Sequence, residues 1–491
     1  MHFLLQHYWA IPIAILASIV VYQRFFHPLA SVPGPFLASL TNFWIVHISQ
    51  RGDMIAVFRA LHAKHGPVVR VAPNEVSVAD LAAFRNIYSV SSKFRKSDWY
   101  SVWQGHRKFD IFAGRDIKVH AQQRRLTARA FSLESLKELE PYIDNMIETF
   151  CRKMKGMAGE KVDMAYWLQL FAFDTIGEIT WSKSFGYMED GSDHGTFNNI
   201  HNIVISGTWL GYVPWLYWTH DGLMPYTGNW LGINGRHSGL RDFALKETQL
   251  RKDKPVEKQD MIGRFFDTSA KNSDAFSYND VVSMGTTLIN AGADTTAIST
   301  RSVIYHVLRN PEIKRKLVAE IDEMRSKGEL SNPVTWEEAN KMKYLQACIE
   351  EGIRVHPAVG LSLPRVVPQG GIDIAGHYIP EGKVVGTNAW VIHQNTEVFG
   401  EDADKFNPDR WLDEEKVGDM HRYSFAFGGG SRSCLGKNIS WLEMSKLIPT
   451  MFLNYDIELW EGQPWEEECL FFVYVHNFFC KLTPRKDPAE L

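Results

Sequence analysis

The sequence predicts a mainly α-helical fold with small β regions, preceded by one transmembrane helix at the N-terminus. Three observations carry that expectation. From Ala121 to Pro357 most of the chain repeats Leu, Ala and Phe at three- and four-residue spacing, the period of helices buried on one face. Short alternating runs flank that block, at 67–78 before it and 363–379 after it. Tyr8 to Phe26 reads YWAIPIAILASIVVYQRFF, an apolar run of the length that spans a bilayer, about 17–20 residues.

Composition narrows the function classes. The 491 residues would make about three domains by length alone, but no linker divides them, so one large body is expected. The net charge of -4, from 53 Lys and Arg against 57 Asp and Glu, argues against a nucleic-acid partner. An aromatic content of 13% suits a large apolar ligand site. The five cysteines, Cys151, Cys348, Cys434, Cys469 and Cys480, are odd in number and scattered. That is neither a disulfide framework nor a zinc spacing, and it fits a reducing compartment.

In chain order, residues 1–26 read as a membrane anchor. Trp9 and Tyr8 at one edge, with Tyr22 and Arg24 at the other, have the character of interface residues. No basic residue precedes the run and Arg24 and His27 follow it, which places the body on the cytosolic side. A cleaved signal peptide would need a basic start, which is absent; a buried core helix is the other competing reading. Residues 27–36 contain His27-Pro28 and Val32-Pro33-Gly34-Pro35, a stiff, non-helical hinge. The body is then 37–491. Pro67 to Val78 holds two β-branched runs around Pro73-Asn74-Glu75, a hairpin. His120 and Arg124 are four apart on one helix face, and a solvated basic face is the plainer alternative. Gly207 to Trp218 is dense in aromatics without a clear amphipathic period, and its plain reading is core plus a loop. Tyr278 to Arg309 is one long helix, stopped by Pro311 and interrupted in composition by Ala291-Gly292-Ala293-Asp294-Thr295-Thr296. An acid next to an alcohol there can relay protons, and Gly292 leaves room against the helix for a small ligand. Glu351 and Arg354 share a helix face, and Asn407-Pro408-Asp409-Arg410 adds a second arginine. Leu363-Pro364-Arg365 and Ile372 to Ile379 read as short strands, Asn438 to Phe452 as a helix, and Phe471 to Leu482 as a hairpin reaching the ligand pocket. Asn438-Ile439-Ser440 matches a glycosylation signal, a false positive on the cytosolic side.

The stretch Phe427-Gly428-Gly429-Gly430-Ser431-Arg432-Ser433-Cys434-Leu435-Gly436 organises the rest. Its glycines let the backbone approach a flat ligand closely. A thiolate at Cys434 is a soft iron ligand, stabilised by amides at a helix start. A lone cysteine is more often a small buried hydrophobe. A phosphate loop fails, because Asn438 follows Gly436-Lys437 where Ser or Thr is needed.

The spacing Phe-x-x-Gly-x-Arg-x-Cys-x-Gly resembles the haem-ligand loop of the cytochrome P-450 family at every fixed position. Three upstream motifs occur in that family's order: the Ala-Gly-x-Asp-Thr-Thr helix, Glu-x-x-Arg, and the proline-arginine segment. The Val32-Pro33-Gly34-Pro35 hinge and Leu363-Pro364-Arg365-Val366-Val367-Pro368 are most similar to fungal pisatin-demethylase-like members of microsomal type. The resemblance implies the cytochrome P-450 fold, with 37–491 as a haem-binding catalytic domain. It implies a b-type haem ligated by Cys434, with Phe427, Gly428 and Gly436 against it. Arg432, Arg365, Arg124 and His120 are its propionate partners, His120 departing from the usual tryptophan. Val359 to Leu363 face substrate, and Glu351, Arg354 and Arg410 lock the loop ahead of the ligand. Asp294 and Thr295 deliver protons. The implied reaction is monooxygenation of an apolar small molecule by O2 in secondary metabolism or detoxification. Electrons come from NADPH through a separate diflavin reductase, since no nucleotide-binding fingerprint occurs here, and the protein sits in the endoplasmic reticulum membrane facing the cytosol. Two rivals are a haem-thiolate isomerase or peroxide-dependent enzyme, and a non-catalytic haem sensor.

Overall fold

The computed structural model describes residues 10–231, 239–254, 259–460, 462 and 464–485. It opens with helix α1 (Ala10–Val21), 12 residues long and with no buried side chain, continued by a π-helical turn over Tyr22–Phe26. Tyr8 and Trp9 lie outside the described residues, and among those described no helix is long and apolar enough to cross a membrane. The expected span is therefore helical only over its described part, and the structure does not extend it to bilayer length.

The hinge is held by the body as well as by its prolines. Arg70, buried in the first strand, donates through Nη2 to Gln23 Oε1 (2.7 Å) and to the Pro73 carbonyl (2.8 Å), and its Nη2 lies 3.0 Å from His27 Nδ1. A Cβ on Gly34 would stand 2.2 Å from the Arg70 carbonyl oxygen, so only glycine lets the linker lie this close.

Strands β1 (Val68–Ala72) and β2 (Glu75–Val78) form the expected hairpin. They join β3 (Arg95–Lys96), β5 (Arg365–Val366) and β8 (Val384–Gly386) in one sheet of order β1-β2-β8-β5-β3, while β4 (Val162–Asp163) belongs to another. Strands β6 (Ile372–Ile374) and β7 (His377–Ile379) make a separate hairpin. The helical block runs through α2 (Ile117–Thr127), α3 (Met164–Trp181), α4 (Thr196–Gly211), α5 (Pro214–Thr227), α6 (Tyr278–Arg309) and α7 (Lys343–Val355). Helix α6 has 32 residues, begins in a Ser277–Asp280 capping box and is buried along most of its length. It packs on α3 and on α8 (Lys437–Asn454), to which Thr296 Oγ1 and Ser440 Oγ tie it at 2.8 Å. Asn438 Nδ2 donates to the Phe131 carbonyl at 3.0 Å, inside the fold.

The C-terminal β region differs from its expected register. The hairpin is β10 (Glu466–Cys469) with β11 (Val473–His476), carrying Phe471 and Phe472 at its tip. Asn477, at φ 63°, ends β11 in the left-handed region, so β12 (Phe479–Pro484) pairs instead with β9 (Tyr455–Leu459) and β4. The hairpin thus lies earlier than Phe471 to Leu482, and its turn, rather than its strand, carries the phenylalanines.

The Glu-x-x-Arg pair is a buried hub. Arg354 donates to both Glu351 oxygens at 2.7 Å and to the carbonyls of His393, Ala403 and Lys405. Glu351 also accepts from Arg410 Nε (3.0 Å) and Trp411 Nε1 (2.8 Å). Removing one partner of a buried pair strands the other, at about 3–5 kcal/mol. Arg354→Met is expected to lower unfolding free energy by about that amount. A urea midpoint within error of the unmodified protein would refute the hub.

Candidate active site

The cysteine loop is built by two left-handed glycines and a set of short-range bonds. Gly428 and Gly430 sit at φ 67° and 60°. A Cβ on Gly430 would come within 2.3 Å of the Tyr88 carbonyl oxygen. The Cys434 amide donates to the Phe427 carbonyl at 2.8 Å, closing the loop on itself. The thiol lies deep below the molecular surface, yet it is open to a cavity of about 1240 Å³, whose lining also includes Phe427, Gly428, Arg432 and Gly436. Of the five cysteines it alone lines that cavity. Burial pushes the thiol pKa up, and the Gly436 amide, Arg124 and the amide and charge of Lys437 pull it down.

Across the cavity lies the middle of α6. Ala291, Gly292, Thr295 and Ser299 line it. Thr295 Oγ1 donates to the Ala291 carbonyl at 2.7 Å, one turn back. Gly292 has a packing reason beside the expected one: a Cβ there would stand 2.9 Å from Ile176 Cδ1 on α3. Asp294 does not line the cavity. Its carboxylate is turned to the other side of α6, where Oδ1 accepts from Gln169 Nε2 (2.7 Å) and Oδ2 from the Tyr474 hydroxyl (3.3 Å). Arg301 Nη2 donates to Gln169 Oε1 at 2.8 Å and so orients the amide. Burial pushes the Asp294 pKa up, while Arg301, Gln169 and Tyr474 pull it down. The neighbouring acid and alcohol thus face different ways, Thr295 towards the cavity and Asp294 towards Gln169 and Tyr474.

Arg124, Arg365 and Arg432 reach the cavity from α2, β5 and the loop, and a fourth cation, Lys96 on β3, joins them. Arg124 donates to the Ser433 carbonyl (2.8 Å), Arg432 to the Gly114 carbonyl (2.6 Å) and Arg365 to the Pro364 carbonyl (3.1 Å), while Lys96 Nζ donates to the Phe112 carbonyl. None of the four makes an ion pair among the described residues. Burial, then Arg365 and Arg432, holds Lys96 well below the usual lysine range; burial and Arg365 bring Arg432 down to about 10. Buried charge without a counter-charge is costly, so the cluster fits a ligand with two carboxylates, as the haem propionates are. His120 sits among them with its pKa pushed down to about 3 by burial, then by Arg432, Lys96 and Arg124, and a ring nitrogen engages the Ile111 carbonyl. It is therefore a neutral member of the cluster, with its one N–H directed at Ile111.

Val359, Leu361 and Leu363 line the cavity, as do Gly207, Leu210 and Tyr217 of the aromatic stretch, whereas Trp215 and Tyr226 point outward. Sequence reasoning missed Lys96, Gln169 and Tyr474. No local pattern marks them, because their partners are remote in the chain.

Residues 33–477 match the family model "Cytochrome P-450". Cytochrome P-450 monooxygenase hepC of Aspergillus oryzae is 36% identical over 94% of each chain. Cytochrome P-450 monooxygenase cicH of Emericella nidulans is 35% identical over 94% of this chain and 95% of its own. Pisatin demethylase of Fusarium vanettenii is 32% identical over 92% of this chain and 90% of its own.

The cation cluster generates a two-sided prediction. Lys96→Met removes a charge that repels Arg365 and Arg432 in the haem-free protein but would pair with a propionate in the loaded one. It is expected to raise the haem-free melting temperature and to speed haem transfer to apomyoglobin about tenfold or more, the worth of a charged hydrogen bond. The sign with pH follows: a lysine lowered by folding binds more protons unfolded, so haem-free stability rises with pH towards the ordinary lysine pKa. That slope should flatten in Lys96→Met. Destabilisation of both forms would instead mark a merely structural lysine.

Proposed function

The chain belongs to the cytochrome P-450 family, and from that premise we propose how its own residues divide the work of a haem-thiolate monooxygenase. The family's cofactor is haem b with a cysteine thiolate. We assign that thiolate to Cys434, and the observation that carries the assignment is its position as the one cysteine on the cavity, opposite Thr295 and beside four cations that form no ion pair among the described residues. When bound, the haem activates dioxygen and supplies the oxidising chemistry.

The chain supplies position, charge and protons. Arg124, Arg365, Arg432 and Lys96 neutralise the propionates, and Phe427, Gly428 and Gly436 line the face next to the sulfur. The Gly436 and Lys437 amides hold negative charge on Cys434. Thr295 presents its hydroxyl on the opposite face. Asp294, kept closer to neutral by burial, is the proton source behind it, and its carboxyl must turn about the α6 backbone to serve Thr295. The Gln169 and Tyr474 hydrogen bonds set how readily it turns. The reaction we infer is hydroxylation, dealkylation or epoxidation of an apolar small molecule in fungal secondary metabolism or detoxification. Electrons pass from NADPH through a separate diflavin reductase. Residues 1–26 serve as a membrane anchor, 27–36 as the hinge and 37–491 as the catalytic domain, on the cytosolic side of the endoplasmic reticulum. The exposed apolar side chains of α1 and the Arg70 clamp on the hinge support that arrangement.

Two variants test the assignments. Cys434→Ser is expected to abolish the red-shifted Soret band that a thiolate gives to the reduced carbon monoxide complex. Its persistence would remove Cys434 from the iron. Thr295→Ala should keep that band and still consume NADPH with a reductase, while releasing most of the electrons as hydrogen peroxide. An unchanged ratio of product to NADPH would take Thr295 out of the relay. Turnover by peroxide alone, with no response to NADPH and reductase, would overturn the monooxygenase route itself.

A further inference from the structure

The wall that α6 presents to the cavity is rich in acceptors. Asn290 Nδ2 donates to the Thr286 carbonyl at 3.0 Å, which fixes the amide and leaves Oδ1 without a donor among the described residues. Thr286 Oγ1 donates to the Val282 carbonyl and Thr287 Oγ1 to the Ser283 carbonyl, each at 2.9 Å. All three residues line the cavity. A threonine hydroxyl has one hydrogen, and once it is given to the helix only lone pairs remain for a ligand. Donors on this face are the Ser283 hydroxyl, which has no partner among the described residues, the Asn279 amide and the second Asn290 N–H.

Another stretch of the cavity wall is aromatic. Trp103, Phe112 and Phe471 interlock at ring distances of 5.5 and 6.1 Å, with Phe472 beside them. These aromatics offer contact area and no acceptor in place of water. A ligand lying against this part of α6 with an O–H or N–H has Asn290 and its two threonine neighbours as acceptors. A ligand whose polar groups are ketones or ethers would set lone pairs against Asn290 Oδ1 and the two threonine hydroxyls, with the second Asn290 N–H and the Ser283 hydroxyl as its donors there.

We propose that Asn290, with Thr286 and Thr287, forms a hydrogen-bond-accepting subsite that selects an apolar substrate bearing a hydroxyl, phenol or alcohol, at a set distance from the carbon oxidised. Asn290 precedes Thr295 by five residues, and at about 1.5 Å per residue the two are about 7.5 Å apart along the helix. The hydroxyl thus lies roughly that far from the reacting end, about the reach of two linked rings. This inference rests on the monooxygenase reading of the same cavity.

The test is a pair of probes differing in one hydrogen-bond donor. Haem-loaded protein is titrated with 4-phenylphenol and with its methyl ether, and binding is followed by the Soret difference spectrum. The phenol is expected to bind about three- to tenfold more tightly, the worth of one neutral hydrogen bond. Asn290→Leu should abolish that preference while leaving ether affinity unchanged or improved, and Asn290→Asp, which keeps an acceptor, should retain it. Equal affinities in the unmodified protein, a preference that survives Asn290→Leu, or uptake of neither probe would overturn the subsite. The carbon monoxide spectrum of the same samples separates the two levels. An intact thiolate band with no phenol preference sinks the subsite alone, whereas loss of the band sinks the reading beneath it.

Discussion

Four cations that form no ion pair among the described residues, Lys96 and Arg365 buried and Arg124 and Arg432 half-buried, are the constraint on which the site depends. Arg124, Arg365, Arg432 and Lys96 come from a helix, a loop and two paired strands, and their acceptors among the described residues are carbonyls and hydroxyls. Such a cluster is unfavourable by itself and becomes favourable when a dianion enters. The surrounding fold is what makes it tolerable. The β3–β5 pairing holds Lys96 opposite Arg365, and the Gly430 turn brings Arg432 under the Tyr88 segment. Folding and cofactor binding are thereby coupled, since binding energy offsets a cost already present in the polypeptide.

The second constraint is the two-sidedness of α6. One helix carries the cavity wall on one face and the Asp294–Gln169–Arg301 network on another. The Tyr474 hydroxyl adds a contact from β11, the strand that follows the Phe471–Phe472 tip lining the cavity. An acid kept off the cavity wall and held by neutral donors stays available without exposing a carboxylate to an apolar ligand. Thr296 binds α6 to α8, so the two walls of the cavity are joined beside the site as well as at their ends.

Much of this was legible in the residues. The limits of α6 emerged at Tyr278 and Arg309 because a capping serine and a stopping proline are local signals. The cysteine loop was legible because left-handed turns demand glycine at fixed offsets. Glu351, Arg354 and Arg410 were legible as a set, although helix spacing alone could not show that the fold buries Glu351 and Arg354 completely. The terminal hairpin was misplaced because weak alternation cannot reveal that Asn477 turns the chain from one sheet into another.

The sequence by itself determined the limits of α6 and of the β1–β2 hairpin, the thiol in its glycine loop and the family those motifs mark, because each rests on contacts within a few residues. Only the tertiary structure decided which way the side chains face. It turned Asp294 away from the cavity and Thr295 towards it, brought Lys96 to three distant arginines, and left Asn290 with a bare acceptor. The Asp294 and Lys96 outcomes depend on partners more than a hundred residues away, Gln169 for Asp294 and Arg365 for Lys96, and no local period encodes them.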